Sequence, residues 1–126
     1  MRGLTLDAGA LIALERKDAR MHALLKRFVE HPEAILNIPA GVVAQTFRNG
    51  SRQVRLVRLL KANKTRVVTF DEDVALATGV LLGMRNANDV VDASIVLCAR
   101  LNRQPVITGD AEDLRRLDPR IELHTL

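Results

Sequence analysis

The amino-acid sequence predicts an α/β domain of three layers, α/β/α, built on a central, mainly parallel sheet of about five strands. Three observations predict it. Short runs of β-branched and aliphatic residues alternate with stretches of helical periodicity along the chain. The 126 residues suffice for one sizeable core and not for two, so residues 1–126 are read as one domain. Hydrophobic residues make up 48% of the chain and charged residues 27%, with no long polar or low-complexity tract, which excludes a disordered protein.

Gly3 to Leu6 reads as the first strand, ended by Asp7, and Ala8 to Lys17 has helical composition. Asp18 is expected to cap the next helix, where Met21, Leu24, Leu25 and Phe28 recur at helical spacing and His31-Pro32 stops the run. Ala34 to Ile38 is a second strand with Pro39 at its end, followed by a helix AGVVAQTFRN closed by Gly50. Ser51 is expected to cap SRQVRLVRLLKAN, with Val54, Val57 and either Leu56 or Leu60 inward and Arg52, Arg55 and Arg58 outward. Arg66 to Phe70 is a third strand, and Asp71 caps a helix running through Val74, Ala77, Val80 and Leu81 to about Met84. The linker RNAN leads into the stretch Asn86 to Arg100, where Asp89 and Asp92 stand at the start of an otherwise apolar helix. VITGD, ending at Asp110, is a fourth strand, AEDLRRL a short helix, and Ile121 to Thr125 a fifth, edge strand. Strands alternating with helices imply right-handed crossovers between parallel strands.

Composition narrows the classes of function. No stretch approaches the roughly 20 apolar residues of a membrane span, so a soluble protein without a membrane role is expected. The single cysteine, Cys98, permits no intramolecular disulfide and falls on an apolar helical stripe, which fits a reducing cytoplasm. Nineteen Lys and Arg against fifteen Asp and Glu leave a net charge of +4, which suits an anionic partner. Three Phe with neither Trp nor Tyr make stacking platforms for bases a poor expectation, so a nucleic acid would be held mainly by its phosphates. The arginines concentrate between Arg48 and Arg66, and Arg48, Arg52 and Arg55 are the candidate contacts; a solvated helix face is the plainer reading of the same residues. His22, His31 and His124 lie in no acidic motif and receive no catalytic role.

The acids gather in a few short motifs. Asp89 and Asp92 stand three apart, on one helical face, at a helix start. Taken alone they suit capping and the helix dipole, as Asp7 before AGAL and Asp110 before AEDL also do. In an open parallel sheet, however, functional groups collect at the carboxyl ends of the strands, and that rule places Asp7, Asp89, Asp92 and Asp110 on one edge. Asp113, three residues after Asp110, faces either this cluster or solvent. Carboxylates brought that close repel unless a cation neutralises them. Ligands that are all oxygen, with no His or Cys, favour Mg²⁺ or Mn²⁺ over zinc, and such an ion activates water against a phosphodiester.

Asp7 in LTLDAGALIAL, Asp92 in DVVDASIVLCA and Asp110 in VITGDAEDL resemble the motifs of the PIN-domain ribonucleases, in particular the VapC-like toxins of bacterial toxin–antitoxin pairs. The resemblance spans essentially the whole chain. It implies an endoribonuclease whose acids hold Mg²⁺ or Mn²⁺, a cognate antitoxin that blocks the site, and a homodimer. It also makes Arg48, Arg52 and Arg55 candidate contacts for the antitoxin as well as for RNA. Thr108 resembles the hydroxyl residue that the family places two before the last acid, where it would orient a water or an acid; an ordinary strand residue is the alternative.

One position departs from the family. Where most members carry a glutamate on the helix after the second strand, this chain has Gln45, which keeps a ligating carbonyl oxygen and loses the charge. Asp89 is the candidate for restoring that charge. Two rivals stand beside the nuclease. A phosphotransfer protein of the haloacid-dehalogenase type wants an Asp two residues after Asp7, where Gly9 stands, and a receiver-like domain wants a late Lys that VITGDAED lacks. A noncatalytic PIN-like module that binds RNA or a partner, its metal site weakened by Gln45, is the other.

Overall fold

Gly3 opens the central strand with φ of 121°, and a Cβ there would collide with the carbonyl oxygen of Ile35 on the neighbouring strand, so only glycine fits where the two meet. The computed structural model describes residues 2–126. In chain order these form β1 (Gly3–Leu6), α1 (Ala8–Glu15), α2 (Ala19–Val29), β2 (Ile35–Pro39), α3 (Ala40–Thr46), α4 (Val54–Leu60), β3 (Thr65–Val68), α5 (Glu72–Arg85), α6 (Val90–Asn102), β4 (Val106–Thr108), α7 (Ala111–Leu117) and β5 (Leu123–Thr125). The strands make one five-stranded sheet in the order β3-β2-β1-β4-β5, and every pairing is parallel. Helices cover both faces, α1 packing against α2, α3 and α4, and α6 against α5 and α7, which gives the three α/β/α layers.

A strand covered on both faces has to be apolar on both. All of β1 is buried, and Leu4, Leu6, Leu36, Ile38, Val106 and Ile107 interleave with Ile95 and Val96 of α6, none more than 1% exposed. At the amino end of the sheet Gln104 is buried among strands and fully bonded. Its Oε1 accepts from the Thr5 hydroxyl at 2.8 Å and Asn37 Nδ2 at 2.9 Å, and its Nε2 donates to the Ile35 carbonyl at 3.0 Å. That knot ties β1, β2 and the start of β4 together.

Most helix starts follow from their aspartates. Asp7, Asp18, Asp71 and Asp89 each accept a backbone N–H from the first turn of α1, α2, α5 and α6. The region after α3 departs from the sequence expectation. The helix ends at Thr46 and the left-handed residue is Asn49 rather than Gly50. Ser51 caps nothing, because α4 starts at Val54, so Val54 is 53% exposed and Leu56 is the buried anchor. The cause is Gln53, whose Oε1 accepts Arg48 N–H at 2.8 Å while its Nε2 donates to Thr46 O at 2.7 Å and Glu15 Oε1 at 2.8 Å. Held by those bonds, residues 47–53 stay a loop, with α3 ending three residues earlier than expected and α4 starting at Val54 rather than directly after Ser51. Among the described residues no helix is long and apolar enough to cross a membrane.

Candidate active site

The strand order reverses between β1 and β4, and at such a switch point the chain leaves adjacent strands in opposite directions and opens a crevice at their carboxyl ends. Asp7 is the first residue after β1 and Asp110 the second after β4. Asp92 sits in the first turn of α6, and Gln45 near the end of α3. These four residues, with Gly9 and Gly109, line one crevice of about 240 Å³.

Two glycines let the walls approach. A Cβ on Gly9 would lie 2.8 Å from the nitrogen of Gly109 and 2.9 Å from its Cα, so the first turn of α1 touches the loop after β4 backbone to backbone. Their part in the site was not read from the sequence. The available signal was that each adjoins or nearly adjoins a motif acid, in DAG and in TGD.

Asp7 is 6% exposed, and its Oδ1 accepts the Ala10 N–H at 2.9 Å. Burial raises its pKa, against hydrogen bonds from the Thr108 hydroxyl and from the N–H groups of Ala10, Gly109 and Gly9 that pull it down. Thr108, fully buried, also accepts the Asp110 N–H at 2.8 Å. One hydroxyl therefore influences one acid and accepts the backbone N–H of another. Asp110 is exposed and makes no capping bond.

Asp92, half-buried, has its pKa pushed up to about 6 by burial and then by the charges of Asp89, Asp113, Asp110 and Asp7. Asp89 is placed differently from its partner. It caps α6, accepting the Asp92 N–H at 2.9 Å, and is not among the residues lining the crevice, so it acts on the site through charge. Asp113 also lies outside the lining; a hydrogen bond with Asp110 and the charge of Asp110 raise its pKa, against Arg116. Among the described residues no three His, Cys, Asp or Glu side chains close around one point at ligating distance. The donor set still fits Mg²⁺ or Mn²⁺. Such an ion keeps several waters and needs one or two carboxylates plus substrate oxygens rather than a protein cage, and the mutual repulsion around Asp92 is what a cation relieves.

The arginines stand apart from the acids. Arg48 Nη1 donates to the carbonyls of Ala44 at 2.9 Å and Phe47 at 2.8 Å, closing the end of α3. Arg52 is exposed in the loop before α4, and Arg55 lines a separate cleft with Lys17 and His22. None of the three lines the acidic crevice.

Fold and crevice together define a doubly wound α/β domain with carboxylates at its switch point. The chain belongs to the PIN domain family, whose model matches residues 4–119, and so to the nuclease family that its acidic motifs resemble. No curated protein sequence matches it. Three solved structures share the fold along nearly the whole chain. FitAcB from Neisseria gonorrhoeae is 19% identical, with 97% of this chain and 96% of that chain covered and a TM-score of 0.65. VapBC2 from Rickettsia felis, bound to a DNA fragment from their promoter, is 14% identical, with 98% of each chain covered and a TM-score of 0.70. A toxin–antitoxin complex from Klebsiella pneumoniae is 17% identical, with 98% and 97% covered and a TM-score of 0.66. At these identities the likeness is one of fold.

Proposed function

We propose that this protein is a Mg²⁺- or Mn²⁺-dependent endoribonuclease and the toxin of a toxin–antitoxin pair. The observation that carries the reading is the meeting of Asp7, Asp92 and Asp110 in one crevice, with Asp92 held near pKa 6 by the acids around it. When bound, the divalent ion supplies Lewis-acid chemistry, neutralising charge on the phosphodiester and lowering the pKa of a water. Asp7, Asp92 and Asp110 would hold it, and the Gln45 carbonyl would ligate it or its water. Thr108, which accepts the Asp110 N–H and lowers the Asp7 pKa, would help position the two acids. Asp92 and Asp110 would be the acids that take a proton from the attacking water.

The RNA strand would reach the crevice past exposed arginines, Arg52 and Arg55 among them, through phosphate contacts. Toxin–antitoxin assemblies with this fold support a cognate antitoxin as partner, and the resemblance supports a homodimer, with the cytoplasm as the place of action. The test is incubation of the purified chain with a broad RNA panel and Mg²⁺ or Mn²⁺, with EDTA and Asp7→Asn as controls. Absence of both metal-dependent cleavage and metal binding would defeat the nuclease reading. Gln45 favours one alternative, a noncatalytic RNA- or partner-binding module with a weakened metal site, for which metal would bind without cleavage.

A further inference from the structure

We propose that the cavity at the amino end of the sheet, opposite the acidic crevice, is a binding site for a ribonucleoside monophosphate. It measures about 500 Å³, within the range of small-molecule sites, and Arg2, Glu33, Asn37, Arg66 and Gln104 line it. Parallel strands enclosed by helices are normally apolar, yet here a polar row crosses three of them. Thr5 on β1 pairs in register with Asn37 on β2, and Asn37 with Arg66 on β3, so the three side chains leave one face of the sheet. Asn37 is 3% exposed in the middle of its strand, a place that a branched aliphatic residue would fill at lower cost.

The bonds around Gln104 decide which atom of Asn37 faces the cavity. Gln104 Nε2 donates to the carbonyls of Ile35 at 3.0 Å and Arg2 at 3.3 Å, which fixes its Oε1 as the acceptor for the Thr5 hydroxyl and Asn37 Nδ2. Asn37 Oδ1 is left over. Among the described residues it accepts no bond, nor is it sealed from solvent, and the second hydrogen on Nδ2 is likewise unused. A nearly buried amide thus holds out one donor and one acceptor, the pair that matches the N7 and N6–H edge of adenine. Charge selects the rest of the ligand. Two arginines against one glutamate leave the lining with a net charge of +1, and the planar fork of a guanidinium suits a phosphate. Glu33 repels a bare phosphate but accepts from ribose hydroxyls. An amino acid would leave its side chain without a wall, because among the described residues Ile35 is the one hydrophobic member of the lining.

The site does not rest on the nuclease reading, and working in EDTA keeps its test clear of the acidic crevice. Titration calorimetry of the full chain with AMP, GMP, CMP and UMP is expected to show one nucleotide bound per chain, AMP tightest, and inorganic phosphate about tenfold weaker than AMP or more. Arg66→Glu, exposed on the edge strand β3, should weaken AMP by about tenfold or more with an unchanged far-UV circular dichroism spectrum, and Arg2→Glu should do the same. Arg20→Glu, exposed on α2, is the control for general charge and should bind AMP as the wild type does. In nitrogen–proton correlation spectra the side-chain amide signals of Asn37 should move as AMP is added. No binding by any of the nucleotides overturns the site, as does AMP binding that survives Arg66→Glu and Arg2→Glu or that Arg20→Glu weakens equally. Phosphate bound as tightly as AMP overturns the nucleotide, and an Asn37 amide that stays still while AMP binds overturns the cavity as its seat. RNA cleavage enters none of these outcomes.

Discussion

Thr108 Oγ1 lies 2.8 Å from the backbone nitrogen of Asp110 and accepts its N–H, while the same hydroxyl lowers the pKa of Asp7. Thr108→Val keeps the strand residue's shape and removes the hydroxyl from both Asp110 and Asp7. It leaves the Asp110 N–H unpaired and takes a polar neighbour from Asp7, at ~1–3 kcal/mol of stability. Supporting bonds of this kind are worth about 10–100-fold in metal affinity or activity. Thr108→Ser should restore both quantities, measured by Mn²⁺ titration calorimetry and RNA cleavage. Wild-type metal affinity in Thr108→Val would reduce Thr108 to an ordinary strand residue.

The pKa of Asp92 predicts an inverted pH dependence. With a folded value of about 6 against 3.8 unfolded, the folded chain holds a proton that the unfolded chain releases between those values. Stability of the metal-free protein therefore falls as pH rises from about 4 to about 6 and is flat above. Asp7, also raised, acts in the same direction. Asp118 does not enter this window, because burial, the largest single influence, is outweighed by the bond to Arg100, the Arg120 N–H and the charges of Arg100 and Arg85 together, which move its titration below 3.8. Half-exposed as Asp92 is, solvent screening leaves about 1 kcal/mol of the effect. Urea melts at stepped pH should show the fall, and Asp92→Asn should flatten it. Since a divalent ion competes with that proton, Mn²⁺ affinity should rise across the same window.

Gly9→Ala places a methyl 2.8 Å from the Gly109 nitrogen, and backbone rather than a flexible side chain has to yield. Parting α1 from the loop after β4 moves Asp7 away from Asp110. The cost should be about 1–3 kcal/mol, with metal affinity falling as well. Gly79→Ala, with open space around it on exposed α5, is the control and should stabilise the protein by ~0.5–1 kcal/mol. Equal unfolding temperatures for the two variants would contradict the close approach.

The carboxylates at the sheet edge were legible because each follows a strand or opens a helix, and a parallel sheet collects such positions in one place. Asp18, Asp71 and Asp89 were legible as caps for a similar reason, since a cap acts within three residues of itself. What escaped depends on partners distant in sequence. Gly9 meets Gly109 across a hundred residues, and Gln104 bonds Thr5 and Asn37 on two other strands. Gln53 displaced the start of α4 by bonding back to Thr46 and Glu15, so local helical spacing misplaced Val54. By helical spacing alone Asp89 and Asp92 share one face, and in the structure the capping bond and the crevice lining separate them.

That separation allows the substitution of Gln45 for the usual glutamate to be tested against its proposed compensation. Gln45→Glu adds a carboxylate to the crevice wall and should tighten Mn²⁺ about tenfold, while deepening the repulsion that destabilises the metal-free chain. Asp89→Asn keeps an N-cap that accepts the Asp92 N–H and removes one charge; Asp89→Ala also loses the cap, a further ~1 kcal/mol. If Asp89 supplies the charge missing at position 45, Asp89→Asn weakens Mn²⁺ several-fold at little cost in stability, and Gln45→Glu in the same chain recovers it. Asp89→Asn with wild-type Mn²⁺ affinity, measured by calorimetry, would leave Asp89 as a helix cap and Gln45 uncompensated.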